Sequence, residues 1–327
     1  MKKKTVEYGK YGYIFILPFF LVFLVFQLYP LIYTFYLSFV EYYEKDMKMV
    51  GPKFNGLKNF MLVLANTKPL GGGKYEIVKW FDNHTVMAIK QTLIIWVINF
   101  IPQILLALLL ASWFTDTVVK LKGQGAFKVM MFMPNIITAS SIAVLFYSLF
   151  SNQGPITLFL RKVGIISQDY NFMEKAGATI GIIAFMQFWM WYGNSMIVLI
   201  AGILGINPSL YEAAMVDGAN GRQQFYKITL PLLKPIIQFS LVTSAIGGLQ
   251  MYDIPSLFNV NASFIGGPNY ASETITMWIK QLGFTAHNYG TAAAASIVLF
   301  IVTLAISMVF FIVTKEREPK QRHAVIR

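Results

Sequence analysis

The sequence predicts an all-α membrane protein with six transmembrane helices, and three observations carry that prediction. Of the 327 residues, 56% are hydrophobic and only 13% are charged, and mean hydropathy is +0.56. That balance suits a bilayer rather than two soluble domains. Long runs carry no charge at all; none occurs between Lys10 and Glu41. In the second half, residues 207–235 form one long polar interruption, NPSLYEAAMVDGANGRQQFYKITLPLLKP, bracketed by helix start and stop signals.

A bilayer core of roughly 30 Å needs about 20 apolar residues as helix. Residues 13–39 supply the first candidate, after a lysine-rich start. The run is too long for a signal peptide and has no small-residue cleavage site, so it reads as a retained anchor. Further spans fall at 92–114, 129–150, 178–204, 235–252 and 291–313. The chain then divides into a tail 1–12, a transmembrane domain 13–314 and a charged tail 315–327. Loop 41–90 lies outside the spans; its segment FNGLKNFMLVL (residues 54–64) suggests a short surface helix and Gly71-Gly72-Gly73 a turn. Its hydrophobic content is too small for a separate core.

Orientation follows from the basic residues. With both termini cytoplasmic, the two tails and the loops 116–128 and 205–234 hold 15 of the 27 Lys and Arg in the shorter total length. Cytoplasmic segments are the ones enriched in Lys and Arg. The bias is modest, because loop 41–90 alone holds eight lysines.

Several chemistries are disfavoured. The net charge of +12 comes from residues at span edges and in loops, without the basic helix or aromatic-lined groove of a nucleic-acid binder. With no cysteine, the chain has no thiolate nucleophile, disulfide or cysteine zinc site. His84, His287 and His323 are scattered, which argues against a metal site. The spans carry no central carboxylate or histidine, so neither an intramembrane enzyme nor an ion-coupled carrier has its ionisable group at depth. No G-x-x-x-x-G-K-[ST] run is present to cradle ATP phosphates.

The interruption at 207–235 is the most informative stretch. Asn207 can cap a helix and Pro208 suits its first position, where a missing N–H costs nothing. Gly218 stops it, because glycine takes a left-handed C-cap without steric cost. Leu210, Ala213, Ala214, Met215 and Val216 can form a short face rich in small residues. Glu212-Ala213-Ala214, three residues, Gly218, nine residues, Ile228, one residue and Leu230-Pro231 reproduce EAA-x3-G-x9-I-x-LP.

This spacing resembles the signature of permease subunits of binding-protein-dependent ABC importers, and the chain is similar to their carbohydrate branch (maltose, glycerol-3-phosphate and multiple-sugar type). The resemblance extends to the segment at 54–64, the third span FKVMMFMPNIITASSIAVLFYSLF and the GGP loop near Gly266-Gly267-Pro268. It implies the type I importer permease fold and a coupling helix that docks on an ATP-hydrolysing subunit. Glu212, Ala213, Ala214, Asp217, Gly218, Leu230 and Pro231 would mediate that contact. It also implies a second paralogous permease, two ATP-binding subunits holding ATP and Mg, and an extracytoplasmic substrate-binding protein. The chain itself would bind no cofactor and would not be an enzyme; the location would be the bacterial cytoplasmic membrane. The lysines of loop 41–90 could touch the binding protein or simply be solvated.

Spans four and five flank the coupling loop. Gln187, Trp191 and Asn194 fall on one helical face. Amides to bond hydroxyls, with an aromatic ring to stack on a sugar's C–H face, are what a carbohydrate needs; interhelical packing is the competing use. Span five adds Gln250, Tyr252 and Asp253, which a helical rise of 1.5 Å per residue from Pro235 puts in the outer half. Pro134, Asn135, Ser140 and Ser141 make span three unusually polar, for helix packing or for a cavity. These features favour an importer permease over a self-sufficient secondary transporter or channel for a small polar solute.

Overall fold

The computed structural model describes residues 9–71, 74–116, 122–259 and 266–314. The tail 315–327, residues 1–8 and the two glycines Gly72 and Gly73 lie outside them. Among the described residues, five helices are long and apolar enough to cross a membrane: Tyr11–Ser38, His84–Thr115, Ala139–Lys162, Ala176–Leu204 and Tyr289–Thr314. A bent pair, Gly221–Leu232 with Lys234–Phe258, makes a sixth when taken as one span. The chain clusters into two compact units, Met1–Val86 with Trp278–Phe300, and Met87–Met277 with Ile301–Arg327.

In the first unit, the span Tyr11–Ser38 widens into a π turn at Leu24–Leu28, where the Tyr29 N–H donates to the Leu24 carbonyl. Pro30 explains the position: it has no N–H to offer the carbonyl four residues back, so the ladder loosens there. Loop 41–90 departs from the all-α expectation. It contains the expected short helix, Lys58–Leu64, but between two antiparallel hairpins. These are β1 (Val40–Lys45) with β2 (Lys48–Phe54), and β3 (Ala65–Gly71) with β4 (Lys74–Trp80). The first hairpin turns through Asp46 and Met47, both at positive φ (51° and 59°). Asn59 ties the helix to the end of the first span: its buried Nδ2 donates to the carbonyls of Ser38 (3.0 Å) and Val40 (2.8 Å).

The second unit holds two hydrophobic clusters. One joins Ile95, Trp96 and Phe100 to Ile142, Phe146, Ile183 and Met186, and continues to Met251, Ile254 and Phe258. The other joins Ala107, Leu110 and Phe114 to Met196, Leu199, Ile203 and Leu233. The Ala176–Leu204 helix contributes to both, with Ile182 to Met190 in the first cluster and Tyr192 to Ile203 in the second.

Two spans differ from the sequence reading. The third, expected as one helix over 129–150, is broken: Gln124–Phe132 ends in a 3-10 turn at Met133–Ile136, and a new helix starts at Ala139. Pro134 stops the first segment, and Thr138, in an extended conformation, caps the second by accepting the Ser141 N–H at 3.3 Å. The Ser140 and Ser141 hydroxyls bond the Thr138 side chain (3.1 and 2.9 Å). They serve this cap rather than helix packing. The break lies on the fourth span, where Asn135 Nδ2 donates to the Met190 carbonyl at 3.2 Å. A Cβ at Gly193 would come within 2.5 Å of the Met131 carbonyl oxygen, so only glycine admits this approach.

The fifth span, expected over 235–252, is helical only over Lys234–Leu249. Residues 250–252 are unwound and a short helix resumes at Asp253–Phe258. Unwound backbone inside a membrane protein must find internal partners. Thr274 Oγ1 donates to the Met251 carbonyl at 2.9 Å, and the Ser256 N–H to the Tyr252 carbonyl at 3.0 Å. At the other end, the chain bends by 62° around Leu233, just before Pro235.

Candidate functional site: an exposed capped helix and a polar cavity

The polar interruption folds as its local signals dictate. Its helix is Pro208–Val216, with Pro208 at the first position and the Asn207 side chain accepting the Ser209 N–H at 3.1 Å. Gly218 takes φ +76°. Its N–H reaches the Met215 carbonyl (3.1 Å) while the Ala219 N–H reaches Ala214 (2.8 Å), the paired bonds of a Schellman stop. No residue of the helix is buried. Glu212 and Ala213 are exposed, Ala214 is half-buried, Asp217 is exposed at the C-cap, and Val216 is 88% exposed. Glu212 makes no ion pair among the described residues.

Tyr211 faces the other way. It packs on the cluster around Leu199 and Leu233, and its hydroxyl meets Thr229 Oγ1 at 2.9 Å. A second helix start follows at once: Asn220 and Gln223 form a reciprocal capping box, each bond 2.9 Å. The sequence reading missed this box, although Asn-x-x-Gln before an apolar run is its signature. The ladder then widens at Phe225–Thr229, with the Leu230 N–H donating to the Phe225 carbonyl. Pro231 follows, exposed, beside a half-buried Leu230.

Within the same unit lies a cavity of about 490 Å³. All six residues singled out in the sequence line it: Gln187, Trp191, Asn194, Gln250, Tyr252 and Asp253. Gln187 is half-buried and Asn194 exposed on one face of the fourth span, with Trp191 between them, 47% exposed. Gln250 and Tyr252 reach the cavity from the unwound stretch, not from the regular helix that a count of helical rise assumed. Asp253 opens the short helix that follows.

The second span and the middle of the fifth add lining that sequence reasoning did not single out. Asn99 and Gln103 come from one, Ser240, Thr243 and Ser244 from the other. Gln103 Nε2 donates to Ser195 Oγ at 2.8 Å and Trp96 Nε1 to Ser244 Oγ at 3.2 Å. Asn99 and Gln103 are four apart in a 32-residue helix. That spacing, in an otherwise apolar run, was the available signal. The lining thus offers amides, hydroxyls and aromatic rings, a set able to bond hydroxyl groups and stack against C–H faces. No group of three or more potential metal ligands occurs among the described residues.

Residues 91–323 match the family model described as binding-protein-dependent transport system inner membrane component. Curated relatives include the lactose transport system permease protein LacF of Rhizobium radiobacter, 31% identical over 73% of this chain and 79% of the relative. They also include the arabinooligosaccharides transport system permease protein AraP of Bacillus subtilis (31%; 91% and 86%). The sn-glycerol-3-phosphate transport system permease protein UgpA of Agrobacterium fabrum is 28% identical (92% and 96%). Among solved structures, a chain of a bacterial alginate ABC transporter in complex with an alginate pentasaccharide-bound periplasmic protein superposes with TM-score 0.70. It is 24% identical, with 95% of this chain and 96% of that chain covered. The multi-span architecture is therefore that of a shared fold, and this chain is a multi-pass membrane permease of the binding-protein-dependent transport system inner membrane component family, the transmembrane subunits of ABC importers.

Proposed function

We propose that this chain forms one half of the translocation pathway for a carbohydrate. The observation that carries the reading is the convergence of Gln187, Trp191, Asn194 and Gln250 on one cavity, in the same unit as the exposed helix Pro208–Val216. The relatives named for lactose and arabinooligosaccharide transport support a glycan substrate. In this reading an extracytoplasmic binding protein delivers the sugar and a second, paralogous permease supplies the other half of the path. Two separate subunits bind ATP and Mg and drive alternating access through Glu212, Ala213, Ala214, Asp217, Gly218, Leu230 and Pro231. Both termini face the cytoplasm, and the bilayer is the bacterial cytoplasmic membrane.

A polar lining costs little if it faces a water-filled path and a great deal if it faces lipid. The small, exposed Ala213 suits close approach by a partner backbone. Mild-detergent purification of the tagged chain, followed by mass spectrometry, tests the assembly. Recovery of another six-span permease and an ATPase is expected, with a binding protein joining when sugar is present. A chain recovered alone that moves solute into liposomes without ATP would overturn the proposal in favour of a self-sufficient carrier.

A further inference from the structure

We propose that Asp253 makes this half-pathway a charge filter, admitting neutral or cationic glycans and rejecting anionic ones. The inference rests on the carbohydrate reading above and narrows it to a chemical class. Among the described residues that line the cavity, Asp253 is the one Asp, Glu, Lys, Arg or His. It is exposed, and it makes no ion pair among the described residues. The remaining polar lining consists of amides and hydroxyls, which carry no charge to offset it.

The chemistry of the carboxylate then sorts ligands. An ionised carboxylate only accepts hydrogen bonds. A neutral sugar has hydroxyls to donate to it, and an amino sugar offers an ammonium, which binds more strongly. A uronate or phosphate presents acceptor oxygens and a like charge, and no Lys or Arg on this lining compensates. Low-dielectric walls extend the effect, since charges are screened less in a partly buried cleft than at an open surface. The consequence separates this chain from two proteins it resembles. One solved structure is described as importing the acidic polysaccharide alginate, and one relative is named for sn-glycerol-3-phosphate. Shared fold does not carry over their anionic substrates when the lining charge is negative.

Asp253 also opens the Asp253–Phe258 helix, where an acidic residue is favourable for local reasons. A role confined to that helix would alter stability but not the ranking of ligands by charge, so selectivity is the discriminating readout. The complete transporter, purified in phosphatidylcholine nanodiscs, is titrated with three trisaccharides by saturation-transfer NMR. Chitotriose is neutral, its deacetylated form is cationic and trigalacturonate is anionic. Wild type is expected to bind trigalacturonate about tenfold or more weakly than chitotriose at low salt, a gap that narrows as salt rises. Asp253→Asn should close the gap by strengthening trigalacturonate binding and weakening chitotriose binding, and should abolish the preference for the cationic, deacetylated form; Asp253→Glu should restore the gap. Equal discrimination in wild type and Asp253→Asn, or trigalacturonate ranking first in wild type, overturns the filter. Binding of none of the three overturns the carbohydrate reading itself, and the filter with it.

Discussion

The hydroxyls of Tyr211 and Thr229 meet at 2.9 Å and join the exposed helix Pro208–Val216 to the π turn that leads into the fifth span. Thr229 is 5% exposed, so this bond sits at the inner side of an otherwise solvent-facing loop. In the proposed mechanism, a push on that helix would reach the membrane domain through Tyr211. Tyr211→Phe keeps the ring packing and removes the bond, a loss on the order of 1 kcal/mol. The expected outcome is normal assembly with fewer sugars moved per ATP, and faster amide exchange in 208–216. An unchanged transport-to-ATPase ratio would show that the bond does not transmit the stroke.

Gly218 separates conformational from steric causes in a simple way. Beyond its chain neighbours, no atom of the described residues lies within 4 Å of where its Cβ would stand, yet its φ is +76°. A β-branched residue there has room and still pays for the left-handed backbone, roughly 1–2 kcal/mol. Gly218→Val should therefore loosen the helix stop and depress coupled uptake, while Gly218→Asn, which tolerates that conformation, should retain most of it. Glu212→Lys should leave insertion intact and reduce ATPase-subunit association. Uptake at the wild-type level in both Gly218→Val and Glu212→Lys would refute the coupling role of this helix.

The cavity calls for a different readout. Gln187→Ala combined with Asn194→Ala removes two amides from one face of the fourth span without touching the exposed helix. Transport kinetics should shift, with a higher KM for the cognate glycan, while association with the ATPase subunit stays unchanged. Each lost hydrogen bond contributes about 0.5–1.5 kcal/mol, so the double variant should weaken ligand engagement by roughly tenfold. Unaltered kinetics would assign these amides to helix packing.

What the chain revealed before its fold was known follows the range over which each signal acts. The cap at Asn207, the first-turn Pro208 and the stop at Gly218 are set by atoms within a few residues, and all three are legible in the sequence. The hairpin β1–β2 is less so, because its turn places Asp46 and Met47 at positive φ, and methionine does not announce such a turn as Asn-Gly would. Pro134 was visible as a proline, but whether it kinks or breaks a helix depended on the tertiary partner that accepts the break. Here Gly193 permits that contact. Likewise Gln250 and Tyr252 were found by residue type. Their unwound backbone depends on Thr274, more than twenty residues downstream, which no local pattern encodes. Asn99 and Gln103 are masked in the sequence by the apolar run around them.

The contact between Gly248 and Trp96 gives the sharpest structural prediction. A Cβ on Gly248 would fall 2.0 Å from Trp96 Cδ1 and 2.6 Å from its Nε1. Trp96 is 5% exposed, stacked on Phe100 at 5.7 Å and against Phe310 at 6.0 Å, and bonded to Ser244. It therefore has little freedom to move aside. Gly248→Ala must either push the fifth span away from the second or turn the indole into the cavity, an overpacking that costs about 1–3 kcal/mol. Reduced thermal stability in detergent is expected, with transport impaired further because Trp96, Ser244 and Gly248 all line the cavity. Trp96→Phe in the same chain shortens the obstructing ring and should recover part of the loss, so the two substitutions should be non-additive by more than about 0.5 kcal/mol. A Gly248→Ala protein that melts with the wild type, or a double variant whose effects simply add, would show that the two spans do not meet through this pair.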